Sequence, residues 1–324
     1  MILEFPPYYS KFQCVAGNCP DTCCRDWELD LDDETYYRYQ VVPGPLGEKI
    51  RGLIREEDGY RFFPLTKEGF CPFYDGSDGL CGLIKKLGPD ILCQACDEYP
   101  RYFGCCGNYE QRDLSLSCPE AGRLFFETPG IPRLLRVELP DSEEQDPLTK
   151  EETDRLQAVL AERNRVLESL RGAAGEDLES DLKAAGIFFP AAPQEVADLC
   201  SKQEEMNTRW KAQKAGILAA AVHYADWNEA FVRAVPGEQD WFFKLAAYFV
   251  FRYWIDAYFA ENEELDFAPQ IRLTCRCLVQ LRLMCLAAYH EKGHFAREDM
   301  VWTAHLFSRQ VEHSDENIAL FKRG

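Results

Sequence analysis

The sequence predicts a mainly α-helical protein whose first half is rich in loops and cysteines and whose second half is a helical bundle. Eleven of the fifteen cysteines lie between positions 14 and 118. The same half contains the turn-forming stretches PGPLG (43–47), DGSDG (75–79), GCCGN (104–108) and TPGIP (128–132). Beyond residue 149 such stretches become sparse and apolar residues recur at helical spacing. Strand-like alternation of apolar and polar residues is scarce throughout.

The first half is predicted to contain short helices between its turns, for example at 32–40 (DDETYYRYQ) and 80–88 (LCGLIKKLG). The acidic, proline-containing stretch ELPDSEEQDPLT (138–149) then marks a change in character and is the best candidate for a linker. We therefore predict a cysteine-rich metal-binding domain at 1–137, a linker at 138–148 and an α-helical domain at 149–324.

The helical domain opens at Thr149, which together with Glu152 has the form of a capping box. The first long helix is expected to end at Gly172. Further helices are predicted at about 176–186, 194–215, 217–234, 239–261, 270–292 and 296–321, which indicates a bundle.

The most apolar stretch is WFFKLAAYFVFRYWIDAYFA (241–260), close to the length of a membrane span. Lys244, Arg252 and Asp256 lie on one side of it, so we predict a buried amphipathic helix and no transmembrane span. The N-terminus lacks the basic and apolar regions of a secretory signal, which predicts a cytoplasmic location.

The net charge of −19, from 55 acidic and 36 basic residues, bears on the partners of the protein. An acidic surface repels phosphate backbones, so nucleic acid is not expected as a partner. Basic or lysine-bearing partners fit the charge, although solubility alone explains it as well.

The clustered cysteines favour a metal site over disulfides, since a reducing cytosol disfavours disulfides. Thiolates are soft ligands for zinc and for iron–sulfur clusters. Zinc sites usually pair two CxxC knuckles, yet only CQAC (93–96) is a true CxxC. The adjacent Cys23 and Cys24 project apart in an extended chain, which favours an iron–sulfur cluster, with zinc as the alternative.

Other cofactor signatures are missing from the sequence. Position 26 is an aspartate where a CxxxCxxC motif starting at Cys19 would need its third cysteine, so an ordinary radical S-adenosylmethionine barrel is not supported. No GxGxxG follows a predicted strand. The late cysteines, Cys200, Cys275, Cys277 and Cys285, are interpreted as small core residues.

HEKGH (290–294) matches the HExxH motif of zinc proteases, with Glu316 as a conceivable third ligand. Gly293 falls where the helix of 270–292 should end, so we interpret it as a C-terminal cap that turns His294 away from His290. The other histidines, His223, His305 and His313, have no partner visible in the sequence and are interpreted as packed or surface residues.

Several phrases resemble a known family: YYSKFQCVAGNCPDTCCRDWELDLDDETYYRY (8–39), FCPFYDGSDGLCGLIKKLGPDIL (70–92), CDEYPRYF (96–103) and LSLSCPEAGRLFF (114–126). Together they resemble the flagellin lysine-N-methylase (FliB) family, akin to the YkgJ-like cysteine-cluster proteins that chelate zinc or iron. The resemblance covers about residues 8–126. It implies a bacterial cytoplasmic methyltransferase that moves methyl groups from S-adenosylmethionine to lysines of flagellin.

The resemblance also implies a 4Fe–4S cluster held by the cysteine-rich half. The cysteines that match the family pattern are Cys14, Cys19, Cys23, Cys24, Cys71, Cys81, Cys96 and Cys118. Cys93, Cys105 and Cys106 are additions in this sequence, and Cys93 is a further candidate ligand. Eight matching cysteines are two sets of four, so one cluster or two are compatible with the sequence.

Methylation of lysine by direct displacement needs a neutral amine, whereas free lysine titrates near 10.4. A base or a desolvating site must therefore remove the proton. Within the matching phrases the candidate catalytic residues are Asp26, Glu98, Tyr99 and Arg101. Arg101 is also the candidate cofactor-binding residue, because its fork would pair with the carboxylate of S-adenosylmethionine. A surface ion pair or a structural brace is the alternative role for Arg101.

Two other functions remain open at this point. One is a non-catalytic metal-binding or redox-sensing cysteine-cluster protein, which the large helical half disfavours. The other is an iron–sulfur enzyme that modifies another peptide or a small molecule.

Overall fold

The computed structural model describes residues 1–140, 148–173, 178–261 and 264–324. Within these ranges the chain is mainly helical, as predicted. The helices are α1 (Asp33–Gln40), α2 (Gly44–Leu53), α3 (Gly82–Leu87), α4 (Gln94–Glu98), α5 (Pro119–Glu127), α6 (Lys150–Arg171), α7 (Leu178–Ala184), α8 (Pro193–Cys200), α9 (Trp210–Val222), α10 (Tyr224–Ala234), α11 (Gln239–Tyr253), α12 (Ala268–Lys292), α13 (Arg297–Val311) and α14 (Asp315–Lys322). The strands are β1 (Ile2–Phe5), β2 (Arg55–Glu57), β3 (Tyr60–Phe62), β4 (Tyr74–Asp75), β5 (Leu80–Cys81), β6 (Arg101–Cys106), β7 (Tyr109–Leu114) and β8 (Leu135–Glu138).

The first half contains a four-stranded sheet in the order β6–β7–β1–β8, which the expectation of scarce strands missed. β1 pairs in parallel with β7, where Leu3 faces Glu110, and antiparallel with β8, where Leu3 faces Val137. Each pairing joins segments more than 100 residues apart in the chain. The backbone hydrogen bonds of these strands are made with distant segments, so a short strand shows little alternation of apolar and polar residues in its own sequence.

Most of the predicted helices form, with different ends. The capping box at Thr149 is present: the Thr149 hydroxyl accepts from the Glu152 backbone N–H at 3.3 Å, and the Glu152 carboxylate accepts from the Thr149 N–H at 2.7 Å. The predicted helix at 194–215 divides into α8 and α9, and the one at 296–321 divides into α13 and α14. Residues 141–147 of the predicted linker and residues 176–177 of the next predicted helix lie outside the described residues.

One apolar core includes side chains from both halves of the chain. Tyr8 and Leu114, from the segment that carries the sheet, pack in the same cluster as residues of α6, α11, α12 and α13. A second, smaller core lies under the cysteines, where Cys93 is buried with Tyr39, Phe63 and Phe73. The predicted domain boundary stays a prediction.

Helix α11, the first part of the apolar stretch, is buried on nearly all sides. Two of its charged residues have partners inside the protein. Lys244 donates to the carbonyls of Phe125 (2.7 Å) and Thr128 (2.5 Å) at the end of α5, and Arg252 Nε lies 3.3 Å from a Glu312 carboxylate oxygen. Among the described residues, no helix combines the length and apolar character needed to cross a membrane.

A buried carboxyl group lies where the sheet meets α11. Asp113 is 1 % exposed, and its Oδ1 accepts from the Tyr8 hydroxyl and the Leu114 N–H, both at 2.8 Å. Burial raises the pKa of Asp113 to about 7, although the Arg252 charge opposes the shift. Asp113 is therefore predominantly protonated in the folded protein below neutral pH.

This burial predicts a pH-dependent stability. The unfolded carboxyl titrates near 3.9, so between about pH 4 and pH 7 the folded state binds a proton that the unfolded state lacks. The free energy of unfolding should then fall as pH rises through this window, by up to about 1.4 kcal/mol per pH unit, and level off above pH 7. Urea unfolding of wild type and Asp113→Asn between pH 5 and 8 tests this. Below pH 7 the free energy of unfolding should fall more steeply with pH in wild type than in Asp113→Asn. An equal pH dependence in the two proteins would contradict the raised pKa of Asp113.

Candidate metal centre

Seven cysteines line one cavity of about 410 Å³ in the first half of the chain. They are Cys14, Cys19, Cys23, Cys24, Cys81, Cys96 and Cys118. The cavity lies between the segment CVAGNCPDTCC (14–24), the hairpin of β4 and β5, helix α4 and the start of α5, and His305 on α13 contributes to its wall. The structure thus brings together seven of the nine thiols that the sequence singled out as ligands.

The other two candidate ligands, Cys71 and Cys93, lie next to this cavity and not on its wall. Cys93 is 3 % exposed, and Cys71 packs against the same small core. Cys93 and Cys96 interact with each other: the Cys96 thiol lowers the pKa of Cys93, whereas Cys93 raises the pKa of Cys96. Burial raises the pKa of Cys71 to about 11, and the nearby thiols of Cys81 and Cys93 add to the shift.

The backbone around the cavity is held by turns and short pairings. In the first cysteine segment, Gly17 passes so close to the hairpin that an added Cβ would lie 2.7 Å from the Asp78 carbonyl oxygen, which only glycine tolerates. The Cys71 N–H donates to the Cys24 carbonyl at 2.8 Å, and Arg25 forms a β-bridge with Phe70. In the hairpin Tyr74 is paired with Cys81. These bonds bring Cys24 and Cys71, 47 residues apart in the chain, close to each other.

Electrostatic coupling shows which thiols are neighbours. Cys14 and Cys23 raise the pKa of Cys19, after burial as the main cause. Burial raises the pKa of Cys118 to about 12, with Cys19 and Cys23 adding to the shift. Cys96, by contrast, is coupled to Cys93, Cys24 and Cys23. The nine thiols therefore form two adjoining groups that meet at Cys23 and Cys24.

Thiols are the most numerous potential metal ligands on the wall of the cavity. Across the described ranges, no group of three or more His, Cys, Asp and Glu side chains is arranged to hold a metal ion. The thiols surround a cavity that is larger than a site for a single metal ion. Thiolates are the protein ligands of iron–sulfur clusters. The residues present thus fit a cluster in chemical type and in number.

A buried polar group that the sequence did not reveal lies beside the cysteines. Asp21, between Cys19 and Cys23, accepts from Arg209 Nη1 at 2.6 Å, and its Oδ2 is 2.9 Å from His305 Nε2. The other ring nitrogen of His305 donates to the Ser117 carbonyl at 2.7 Å. Burial opposes ionisation of Asp21, but His305 and Arg209 hold its pKa below the usual range. The partners are 188 and 284 residues away from Asp21, so no local pattern could indicate them.

Of the candidate catalytic residues, Tyr99 and Arg101 line the cysteine cavity. The Tyr99 hydroxyl is 3.1 Å from Ser117 Oγ, and its ring packs against Trp27, whose Nε1 donates to the Cys23 carbonyl at 2.6 Å. Arg101 is exposed, with its guanidinium over the Phe12 ring and a 3.4 Å hydrogen bond to the Asp97 carbonyl.

The other two candidates are not on the cavity wall. Glu98 is hydrogen-bonded to Gln94 at 2.9 Å on α4. Asp26 follows the cysteine segment with a left-handed backbone (φ 65°), and its side chain is 5 % exposed. Of the four candidate catalytic residues, Tyr99 and Arg101 therefore line the cavity, whereas Asp26 and Glu98 do not.

The HEKGH segment is the end of a helix. Gly293 caps α12 with φ 73°, and its N–H donates to the Tyr289 carbonyl at 2.8 Å. His290 stacks on Trp227 with ring centres 3.8 Å apart, and His294 contacts the Lys292 carbonyl. The interpretation of Gly293 as a cap is confirmed.

The remaining cysteines lie outside the cavity. Cys200, Cys275, Cys277 and Cys285 are buried, as expected for core residues. On β6, Cys105 is exposed, while Cys106 is buried beside Tyr258.

Comparison with known proteins identifies the family of the chain. A model of the FliB lysine N-methylase C-terminal domain matches residues 143–323, more than half of the chain. The chain belongs to the FliB lysine N-methylase family. Within this family match lie α6 to α14, including His305, which lines the cysteine cavity.

Two curated proteins from Salmonella show more limited similarity. The Lysine-N-methylase of Salmonella typhimurium strain LT2 is 28% identical over 130 residues, which are 38% of this chain and 32% of that protein. The Flagellar biosynthetic protein FliU of Salmonella muenchen is 28% identical over 130 residues, which are 76% of its length. The matched region thus spans about a third of the Lysine-N-methylase. No solved structure matches the chain.

Proposed function

We propose that this FliB-family protein transfers methyl groups from S-adenosylmethionine to lysine side chains of flagellin, in the bacterial cytoplasm, with the help of an iron–sulfur cluster. The family membership and the name of the Salmonella Lysine-N-methylase support the reaction class. The name of the FliU relative supports a flagellar substrate. The observation that carries the cluster is the cavity lined by seven cysteines.

The cluster ligands would be drawn from the eight matching cysteines and Cys93. Cys14, Cys19 and Cys118 are neighbours on one side, Cys71, Cys81, Cys93 and Cys96 on the other, with Cys23 and Cys24 between them. When bound, a 4Fe–4S cluster with one open iron position would supply an anchor for the amino and carboxylate groups of the methyl donor.

The chain's own residues would do the remaining work. Arg101 is a cation exposed at the cavity, free of a short ion pair among the described residues, so its fork is available to a carboxylate. The apolar wall residues Phe12, Leu92 and Tyr99 would exclude water and disfavour the charged form of an entering lysine. A lysine that loses its proton there gains the lone pair that direct displacement requires.

The test is a methyl-transfer assay with anaerobically purified protein, S-adenosylmethionine and flagellin, followed by mass measurement of lysine-containing peptides. Gains of about 14 Da on flagellin lysines, in a reaction that also needs bound iron and sulfide, are expected. Iron, sulfide and zinc are quantified on the same sample. Zinc without sulfide would contradict the cluster, and intact flagellin with a loaded cluster would contradict the substrate.

Alanine substitution at Arg101 separates its two possible roles. If Arg101 holds the donor carboxylate, Arg101→Ala should raise the KM for S-adenosylmethionine about 10-fold or more while leaving bound iron unchanged, because a charged hydrogen bond contributes about 1.5–3 kcal/mol. Arg123→Ala, which removes an exposed arginine paired with Glu120 on α5, is the matched control. An unchanged KM would assign Arg101 to the structural role.

A further inference from the structure

Arg309 on α13 inserts a buried guanidinium into the cysteine segment from the C-terminal part of the chain. The residue is 4 % exposed, and its Nη2 donates to the Thr22 carbonyl at 2.7 Å. Thr22 directly precedes Cys23 and Cys24 and lines the same cavity as their thiols. Arg309 therefore places a permanent positive charge against the backbone of two candidate metal ligands.

Two of the Arg309 donor groups have no hydrogen-bond partner among the described residues. Nε and Nη1 are both buried and unpaired. The nearest carboxylate oxygens belong to Asp21 and Asp26, at 3.7 Å and 4.0 Å from Nη1, beyond hydrogen-bonding distance. Asp21 is already bonded to Arg209 and His305. A buried charged donor left unpaired is costly, so this guanidinium calls for a further acceptor.

The surroundings offer two kinds of acceptor: the thiolates of Cys23 and Cys24, which directly follow Thr22, and the carboxylate of Asp26. Arg25 Nε and both Asp26 carboxylate oxygens are also buried without a hydrogen-bond partner in the described structure. Metal-bound thiolates and sulfides are negative and accept hydrogen bonds, and such bonds help to set the reduction potential of a cluster.

We propose that Arg309 stabilises the negative charge of a cluster bound at Cys23 and Cys24, and that it thereby raises the reduction potential of that cluster. This inference rests on the proposed iron–sulfur site. It gives the family's C-terminal domain a direct part in the metal centre, since α13 lies wholly within the matched region. Arg309 is a positioning and tuning residue, because it acts through the ligands and not on a substrate.

The experiment is a redox titration of the cluster by electron paramagnetic resonance in wild type, Arg309→Gln, Arg309→Lys and Arg297→Gln. Loss of the charge should lower the ratio of reduced to oxidised cluster about tenfold at a fixed potential, which is a shift of about 59 mV for one electron. Arg309→Lys keeps the charge without the planar fork, so an intermediate shift is expected. Arg297→Gln removes the same charge 12 residues earlier on the same helix, ~18 Å away, and should leave the potential unchanged.

A midpoint potential of Arg309→Gln equal to that of wild type, at equal iron and sulfide content, would overturn the proposal. A second measurement needs no variant to fold: wild type labelled with ¹⁵N-arginine should show hyperfine coupling between the reduced cluster and a guanidinium nitrogen. Absence of any such coupling would overturn the proposal as well. If purified wild type contains no iron and sulfide, the proposed cluster itself is contradicted. If the midpoint potential of Arg309→Gln equals that of wild type, the role of Arg309 is contradicted and the methyl-transfer proposal stands.

Discussion

Replacement of Cys23 by alanine should remove the proposed cluster and abolish the proposed methyl transfer while the helical bundle stays folded. Cys23 lies at the junction of the two thiol groups, and its neighbours include Cys19, Cys24, Cys96 and Cys118. Loss of an outer-shell partner typically costs about 10–100-fold in metal affinity or activity, so loss of a ligand should cost more. The expected result is a decrease in methyl transfer of about 100-fold or more.

Three measurements on the same sample separate the possible roles of Cys23. Iron and sulfide per chain report the cluster, far-ultraviolet circular dichroism reports the helices, and the mass of flagellin peptides reports the transfer. The large apolar core lies mostly among α6 to α14, so helical content should persist without metal. If iron, sulfide and helices are all lost together, the site is required for folding.

Cys105→Ala is the matched control for Cys23→Ala. Cys105 is also an exposed cysteine of the first half, but it lies on β6, away from the cavity wall. Its replacement should leave iron, sulfide and methyl transfer unchanged. A Cys23→Ala protein that keeps full iron and full activity would refute the proposed ligand set around Cys23.

The sequence allowed the cysteines to be recognised as a group because their side-chain chemistry is itself the signal. Thiols that are numerous and clustered indicate a metal, whatever the backbone does between them. Asp21, His305 and Arg309 carry no comparable signal. Each is an ordinary charged or polar residue, and its role depends on the docking of α13 against a segment nearly 300 residues earlier.

The same contrast explains which elements of the fold were predicted. The helices beyond residue 149 depend on local periodicity and on local caps such as Thr149 and Gly293, so the sequence predicts them with errors mainly at their ends. Sheet strands β1 and β8 have four residues each, and their partners are far away in the chain. Their hydrogen bonds exist only after the two halves of the chain have come together, which no local pattern encodes.

The contact between the sheet and α6 includes one buried arginine. Arg163 is fully buried, and its Nη2 lies 2.6 Å from Glu4 Oε2 on β1. Its Nη1 donates to the Tyr109 hydroxyl at 2.6 Å and to Gln111 Oε1 at 2.8 Å on β7. The Tyr109 hydroxyl in turn donates to Glu4 at 2.9 Å. One guanidinium thus joins two adjacent strands to the first helix of the second half.

Arg163→Met should destabilise the protein by about 3–5 kcal/mol, because removal of one partner leaves Glu4 buried and uncompensated. Arg136 lies 3.8 Å from the other Glu4 oxygen and supplies partial compensation, so the lower end of this range is expected. Glu4→Gln removes the carboxylate charge that Arg163→Met leaves without its partner. The double variant Arg163→Met/Glu4→Gln should therefore be more stable than Arg163→Met alone, with a coupling energy of about 0.5–3 kcal/mol.

Urea unfolding of the purified proteins measures these differences through the midpoint and the slope of each curve. Arg165→Met is the matched control: it lies two positions along the same helix, is about half exposed, and pairs with Glu162 at 2.7 Å. Exposed pairs contribute about 0–1 kcal/mol, so this variant should unfold close to wild type. Equal effects of Arg163→Met and Arg165→Met would mean that the sheet is held to α6 by apolar packing, with no net contribution from the buried charges.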